Sequence, residues 1–156
     1  MAKTQAGSSK ASNPIAAKKT ARASAPRRAV KAHRLPKEVT GAVDAARDKK
    51  AEDVVVLDLR NAGGFTDYFV ICTGGNARQI TAIADSVQEQ LKRDFSERPA
   101  LSEGVDRSEW ILLDYFDFVV HIFSRECRAF YGLERLWGNA DRHEFGDDEP
   151  STRVGS

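Results

Sequence analysis

Acidic side chains beside β-rich runs are the residues of this chain that could support metal-dependent phosphoryl transfer. That chemistry needs paired carboxylates that hold metal ions a few ångströms apart. Asp58 stands alone on its run, while Asp114 and Asp117 are separated by two residues rather than one. Because alternate residues of a strand share a face, the Asp-x-x-Asp spacing would direct these two carboxylates apart. The pattern therefore argues against a two-metal centre.

A pair of glycines offers a second chemical interpretation, the binding of a phosphate group. Gly74-Gly75-Asn76 precedes a helical pattern, and the N–H groups at the start of a helix can hold an anion. The segment lacks the Gly-x4-Gly-Lys-[Ser/Thr] of a P-loop and the Gly-x-Gly-x-x-Gly of a dinucleotide site. A tight strand-to-helix turn, with Asn76 as the helix cap and Gln79 close to a capping box, explains the same residues. Both interpretations stay open at this point.

Nucleophilic catalysis and metal binding find little support in the remaining polar residues. His121 and Asp117 would share a strand face, but roughly 13 Å apart. That separation is too long for the hydrogen bond that would orient a base beside Ser124. The histidines, which are His33, His121 and His143, are too scattered for a zinc site. Cys72 and Cys127 fit small buried hydrophobes. We predict no catalytic residue, no metal and no cofactor.

Helices and strands that would position these residues follow one another in a clear order. Apolar spacing predicts helices that begin near Pro36 and Asn76, and a last helix over residues 125–137 that is capped by Ser124. Four apolar β-rich runs lie between them, at residues 54–59, 67–73, 110–114 and 117–123. The loop between the second helix and the third run has room for a short edge strand. The order α-β-β-α-β-β-α predicts an α/β fold with a mixed sheet of four to five strands and flanking helices.

Charge divides the chain of 156 residues into a basic tail and an acidic domain. Residues 1–34 hold nine of the 24 Lys and Arg residues and no acid, which leaves fifteen bases against 23 acids. We predict a disordered basic tail over residues 1–34, rich in Ala, Ser, Lys and Arg. A single domain would follow over residues 35–140, and a flexible acidic C-terminal tail over residues 141–156. An acidic domain would bind nucleic acid poorly, because Lys and Arg neutralise phosphate.

Aromatic residues are concentrated between residues 110 and 137, where the sequence reads WILLDYFDFVVHIFSRECRAFYGLERLW. This stretch resembles the ribosomal silencing factor family, whose members are also called Iojap-related proteins. The resemblance continues in residues 66–71 (TDYFVI) and 78–85 (RQITAIAD), and it covers roughly residues 37–140. The fold of that family in turn resembles nucleotidyltransferases. A divergent nucleotidyltransferase-like protein that binds nucleotide is therefore the alternative function.

A non-enzymatic repressor of translation is what the family resemblance implies. Members bind the large ribosomal subunit through ribosomal protein L-fourteen and sterically block its association with the small subunit. An acidic domain agrees with this, since electrostatic complementarity speeds binding to a basic ribosomal protein. The resemblance also implies that a homodimer can form, and the basic tail suggests a contact with ribosomal RNA.

Surface recognition favours Trp, Tyr and Arg. The predicted partner-binding residues are Asp67, Tyr68, Trp110, Tyr115, Phe116, Asp117, His121, Arg128, Tyr131, Glu134 and Trp137. His121 is also expected to be a hydrogen-bonded, partly buried strand residue, while Phe118, Phe123 and Phe130 are expected in the core. The family usually places Gly at the position of Phe116. A Phe should avoid positive φ, so we expect a different hairpin geometry there.

Membrane insertion is not expected, because no apolar run approaches the roughly 18 residues that a span requires. We therefore expect a bacterial cytoplasmic protein. The acid-poor composition of residues 1–34 also fits an organelle transit peptide, and in that case the location would be an organelle matrix.

Overall fold

A computed structural model of the chain describes residues 35–146. The predicted basic tail and the last ten residues of the predicted acidic tail lie outside the described residues. Ten elements follow in chain order: α1 Lys37–Asp48, β1 Glu52–Asp58, β2 Tyr68–Thr73, α2 Ala77–Phe95, β3 Leu101–Glu103, β4 Trp110–Asp114, β5 Phe118–Phe123, α3 Arg125–Tyr131, α4 Leu133–Leu136 and β6 Asp141–Phe145. The predicted α/β class with flanking helices is confirmed, and β3 is the short edge strand that the loop allowed.

Six strands form one mixed sheet in the order β3-β4-β5-β2-β1-β6. The central strands β2 and β5 are parallel, with Tyr68 opposite Phe118 and Thr73 opposite Phe123. All other neighbouring pairs are antiparallel. Every residue of β2 and β5 is buried, as expected for parallel strands that are covered on both faces.

The two faces of the sheet are covered unequally. On one face, α1 and α2 bury an apolar cluster that includes Val39, Ile80 and Leu91 together with alternate residues of the strands. On the other face, a smaller cluster that includes Phe69 and Phe123 is only partly covered, by residues of the short helices α3 and α4. No helix among residues 35–146 is long and apolar enough to cross a membrane.

The C-terminal boundary of the domain requires a correction. The predicted flexible tail from residue 141 is wrong for residues 141–145, which form β6 and pair antiparallel with β1, with His143 opposite Val56. Its acidic and basic residues suit an edge strand that has solvent on one side. Phe145 packs against the helix-covered core. The sheet therefore has six strands rather than four to five.

A glycine divides the predicted helix over residues 125–137 into two. Ser124 caps α3 as predicted, with its hydroxyl oxygen accepting the N–H of Cys127 at 3.1 Å. Gly132 then adopts a left-handed conformation with φ of 54° and ends α3 after seven residues. The shorter α4 begins at once in a new direction.

The start of α2 confirms the turn interpretation of the glycine pair. Asn76 Oδ1 accepts the N–H of Gln79 at 2.8 Å, and Gln79 Oε1 accepts the N–H of Gly75 at 2.6 Å. The Gln79 side chain also donates to the carbonyls of Lys49 and Lys50 at the end of α1. These bonds tie α2 to α1 and use the Gly75 amide within the protein.

We expect Gly74→Ala to destabilise the protein by about 1–3 kcal/mol, because overpacking strains a closed site. An added Cβ would lie 2.6 Å from Ile80 Cγ1 and 3.1 Å from the Ile80 backbone nitrogen. Gly75→Ala is the matched control, since its Cβ would meet only the flexible end of Gln79 at 3.3 Å. Urea unfolding measures both, and equal losses of stability would contradict the close-approach explanation.

Candidate partner-binding surface

A continuous row of rings lies on the sheet face opposite α1 and α2. Neighbouring ring centroids are 4.5–6.2 Å apart along this aromatic row, which consists of Phe65, Phe69, Trp137, His121, Trp110, Tyr131 and Phe130. Its ends are open to solvent, since Phe65 and Phe130 are each 78% exposed. The middle of the row is packed on β2 and β5. Such a surface offers large rigid rings to a partner at little entropic cost.

His121 is the buried centre of the row. It is 4% exposed and accepts a hydrogen bond at Nδ1 from Trp110 Nε1 at 3.1 Å, so the proton of the neutral ring belongs on Nε2. Nε2 itself is buried without a hydrogen-bond partner among the described residues. Burial lowers the pKa of His121 to about 3. The prediction of a hydrogen-bonded strand histidine is confirmed, and the ring serves mainly to orient Trp110.

An ion pair fixes the two short helices beside this row. Arg128 donates from Nη2 to Glu134 Oε2 at 2.7 Å and from Nε to Glu134 Oε1 at 3.1 Å. The same guanidinium donates to the carbonyl of Asp53 and to the hydroxyl of Thr73, each at 2.8 Å. The hydrogen bond from Arg128 lowers the pKa of Glu134. This network joins α3 and α4 to the ends of β1 and β2.

A second group of predicted residues lies elsewhere, at the end of the domain where β2 and β5 begin. Tyr68 and Tyr115 are buried, each 4% exposed, and belong to the helix-covered core rather than to a surface. Asp67 and Asp117 are exposed, and the Asp67 N–H donates to the Asp117 carbonyl at 3.0 Å. The structure therefore separates the predicted residues into an aromatic row with an adjoining ion pair, and an acidic end.

Phe116 adopts the conformation that it was expected to avoid. Its φ is +74°, and its side chain is 75% exposed at the tip of the β4–β5 turn. Asp114 Oδ1 accepts the Phe116 N–H at 2.8 Å, and the Thr66 hydroxyl donates to the Phe116 carbonyl at 2.7 Å. These two bonds hold the turn in the left-handed geometry that Gly would adopt more readily. The expectation of a different hairpin geometry is wrong.

Three exposed apolar residues were missed or misplaced by the sequence analysis. Phe130 was expected in the core, and its 78% exposure shows that this prediction is wrong. The break at Gly132 shortens α3, which leaves Phe130 with an edge-to-face contact to Tyr131 at 4.9 Å. Phe65 and Leu136 were not predicted at all, although Phe65 follows Gly63-Gly64 in a turn, where an aromatic side chain is commonly exposed.

The carboxylates considered for catalysis have structural partners. Asp58 accepts two side-chain bonds from Arg60, at 2.9 and 2.8 Å, and one from its N–H at 3.1 Å. Burial opposes ionisation of Asp58, but the bonds and charge of Arg60 outweigh it and lower its pKa. Asp114 caps the β4–β5 turn, as described above. Within residues 35–146 no group of His, Cys, Asp and Glu side chains could hold a metal ion.

These features define a class, a small mixed α/β domain with a half-exposed aromatic surface. The model of the family described as ribosomal silencing factor during starvation matches residues 32–155. A relative named ribosomal silencing factor RsfS, from Halalkalibacterium halodurans, is 41% identical over 104 residues, which are 67% of this chain and 88% of the relative. The chain belongs to the ribosomal silencing factor family.

Two further comparisons extend this result. A mouse protein named mitochondrial assembly of ribosomal large subunit protein 1 is 31% identical over 97 residues, which are 61% of this chain and 42% of that protein. A crystal structure of a Chromobacterium violaceum protein superimposes with a TM-score of 0.63 at 30% identity, and covers 79% of this chain and all of that one. The fold is thus shared with an experimentally determined structure.

We expect the stability of the protein to fall as the pH decreases from 6.5 towards 3 because of His121. The unfolded chain binds a proton near pH 6.5, whereas the folded protein excludes it until about pH 3. One such group contributes a slope of at most about 1.4 kcal/mol per pH unit. His121→Gln keeps an acceptor for the Trp110 N–H but does not titrate. Urea unfolding between pH 7 and 5 should give a flatter profile for the variant, and identical profiles would contradict the assignment.

We expect Arg128→Ala to destabilise the protein by about 3 kcal/mol, because it leaves the partly buried Glu134 without its main partner. Arg125→Ala is the matched control on the same helix. Arg125 pairs with Glu52 at 2.7 Å but its side chain is 61% exposed, so its removal should cost at most about 1 kcal/mol. Thermal and urea unfolding measure both variants. A larger loss for Arg125→Ala would show that the network does not hold α3 and α4.

Proposed function

We propose that this protein represses translation by binding the large ribosomal subunit through ribosomal protein L-fourteen, which sterically blocks association with the small subunit. The proposal rests on membership of the ribosomal silencing factor family. It agrees with the printed name of the mouse relative, which refers to assembly of the ribosomal large subunit. The same proposal places the protein in the bacterial cytoplasm. It needs occupation of a surface and no reactive group.

The aromatic row is the observation that carries the proposal. Tyr131 and Leu136 are 47% and 69% exposed, and they lie beside the half-buried Trp110 and Trp137. Aromatic anchors surrounded by polar residues are typical of surfaces where a few side chains supply most of the binding energy. We propose that the exposed and half-buried members of the row contact the ribosomal protein, while His121, Arg128 and Glu134 hold them in place.

Charge supports a basic protein as the immediate partner. Residues 35–146 contain 14 Lys and Arg residues against 20 Asp and Glu residues. Opposite net charges accelerate the encounter of two proteins. Asp67, Asp117 and the exposed ring of Phe116 would extend the contact at the acidic end of the domain, with Tyr68 and Tyr115 supporting them from the core.

Self-association is the competing use of an exposed aromatic surface. A homodimer formed through the aromatic row would hide the residues that the ribosome needs. Sedimentation at several protein concentrations, with and without large subunits, separates the two uses. Contact of the basic tail with ribosomal RNA is a further part of the proposal, and it would appear as a salt-dependent contribution to binding.

We expect Tyr131→Ala and Leu136→Ala each to weaken binding to purified large subunits by about tenfold or more, because a loss of about 1.4 kcal/mol is typical of an interface anchor. Co-sedimentation with separated large and small subunits measures the affinity. A subunit reassociation assay then measures whether fewer joined ribosomes form.

Val105→Ala is the matched control for this experiment. Val105 is also exposed and apolar, but its loop contacts α2 through a hydrogen bond of 3.0 Å between Ser108 and Thr81. This variant should bind like the unchanged protein. If Tyr131→Ala and Leu136→Ala also bind normally while remaining folded, the aromatic row is not the docking surface. If the unchanged protein fails to bind large subunits at micromolar concentration, the proposed function itself is wrong.

A further inference from the structure

A small cavity lies at the acidic end of the domain, away from the aromatic row. Its volume is about 130 Å³, and it is enclosed by the first turn of α1, the segment after α2, the residue before β2 and the β4–β5 turn. Pro36, Tyr115 and Phe118 form its apolar walls. The space is sufficient for one long side chain or a few water molecules.

Four carboxylates surround this cavity without a basic partner. They are Glu38, Asp67, Glu97 and Asp117, and no Lys or Arg of the described residues lines the space. None of the four side chains makes an ion pair within 4 Å or a side-chain hydrogen bond in the described part of the chain. Four neighbouring negative charges repel one another, so a cation in their midst would be stabilised.

The hydroxyl of Tyr115 points to the same conclusion independently. Tyr115 is 4% exposed, its ring stacks on Phe118 at 4.9 Å, and its hydroxyl has no hydrogen-bond partner among the described residues. A buried hydroxyl without a partner is costly. Burial, with the charge of Glu97, raises the pKa of Tyr115 to about 12, so the hydroxyl keeps its proton. It can donate to a carboxylate while accepting from an N–H group.

A long cationic side chain satisfies both requirements. An ammonium or guanidinium group donates several hydrogen bonds and accepts none, which suits four carboxylates and one hydroxyl oxygen. Its methylene stem would pack against the apolar walls. The cavity is therefore a site for a Lys or Arg side chain.

The chain itself supplies such side chains next to the cavity. Residues 1–34 carry nine Lys and Arg residues and no acid, and this segment ends two residues before Pro36, which lines the cavity. Lys31 is five residues from Pro36, a span of at most about 17 Å. A tethered group is present at a high effective concentration, which lets it compete with a basic group on another molecule.

We propose that a Lys or Arg side chain from residues 27–34 occupies this cavity and bonds to the surrounding carboxylates and the Tyr115 hydroxyl. The contact would hold the end of the basic segment on the acidic end of the domain. It does not depend on binding to the ribosome.

Zero-length carbodiimide crosslinking of the full chain, followed by mass spectrometry, tests the contact. We expect Lys31 to crosslink to Asp67, Glu97 or Asp117 at least fivefold more often than to Asp85 or Glu89, which are exposed on α2. The yield within one chain should not change with protein concentration. Crosslinks found only between chains would identify a second copy as the occupant and overturn the proposal.

Charge-neutral variants of the full chain cover the case in which an arginine is the occupant. Arg27, Arg28, Lys31 and Arg34 are changed to Gln in one variant, and Lys3, Lys10, Lys18 and Lys19 in its control. The first should lower the Tm by about 2 °C, the control should not, and the difference should vanish when Asp67→Asn and Asp117→Asn are present. Equal Tm values for the two variants, together with no enriched crosslink, would show that this segment does not occupy the cavity.

Discussion

Parallel pairing of β2 with β5 is the constraint on which the rest of the structure depends. Both strands are buried on both faces, and a parallel pair cannot be joined by a tight turn. The chain therefore crosses over through α2 and the β3–β4 hairpin before it returns as β5. This crossover brings the two strand ends together, with the Gly74 N–H donating to the Phe123 carbonyl at one end and the Asp67 N–H donating to the Asp117 carbonyl at the other.

Unequal helical cover explains why the sheet has an aromatic face. The helices α1 and α2 contain 12 and 19 residues and bury their side of the sheet. The helices α3 and α4 contain only seven and four residues, and neither contributes a buried residue of its own. Large rings then serve as both core and surface, because Trp110 and Trp137 pack on the strands and still reach solvent.

Polar interactions hold this thin layer in one arrangement. Arg128 bonds to two strands and to Glu134, so it fixes two short helices that would be marginal alone. Trp110 is held by a histidine that stays neutral at physiological pH. A preorganised surface loses less freedom on binding, which favours the surface role that we propose for the row.

The sequence by itself determined the regular elements and their caps, because those depend on local spacing. The helix that begins at Asn76, the Ser124 cap and the β-rich runs all lie where apolar periodicity and capping chemistry predict them. The family followed from the order of residues between 110 and 137. Only the tertiary structure decided which aromatic side chains are exposed. Tyr115 and Phe130 are similar in type and lie close in sequence, yet one is buried under α1 and α2 while the other projects beyond a shortened helix. Strand β6 escaped prediction for the same reason, since its polar residues become a strand only by pairing with β1. Exposure and edge pairing depend on contacts between distant segments, which local spacing does not specify.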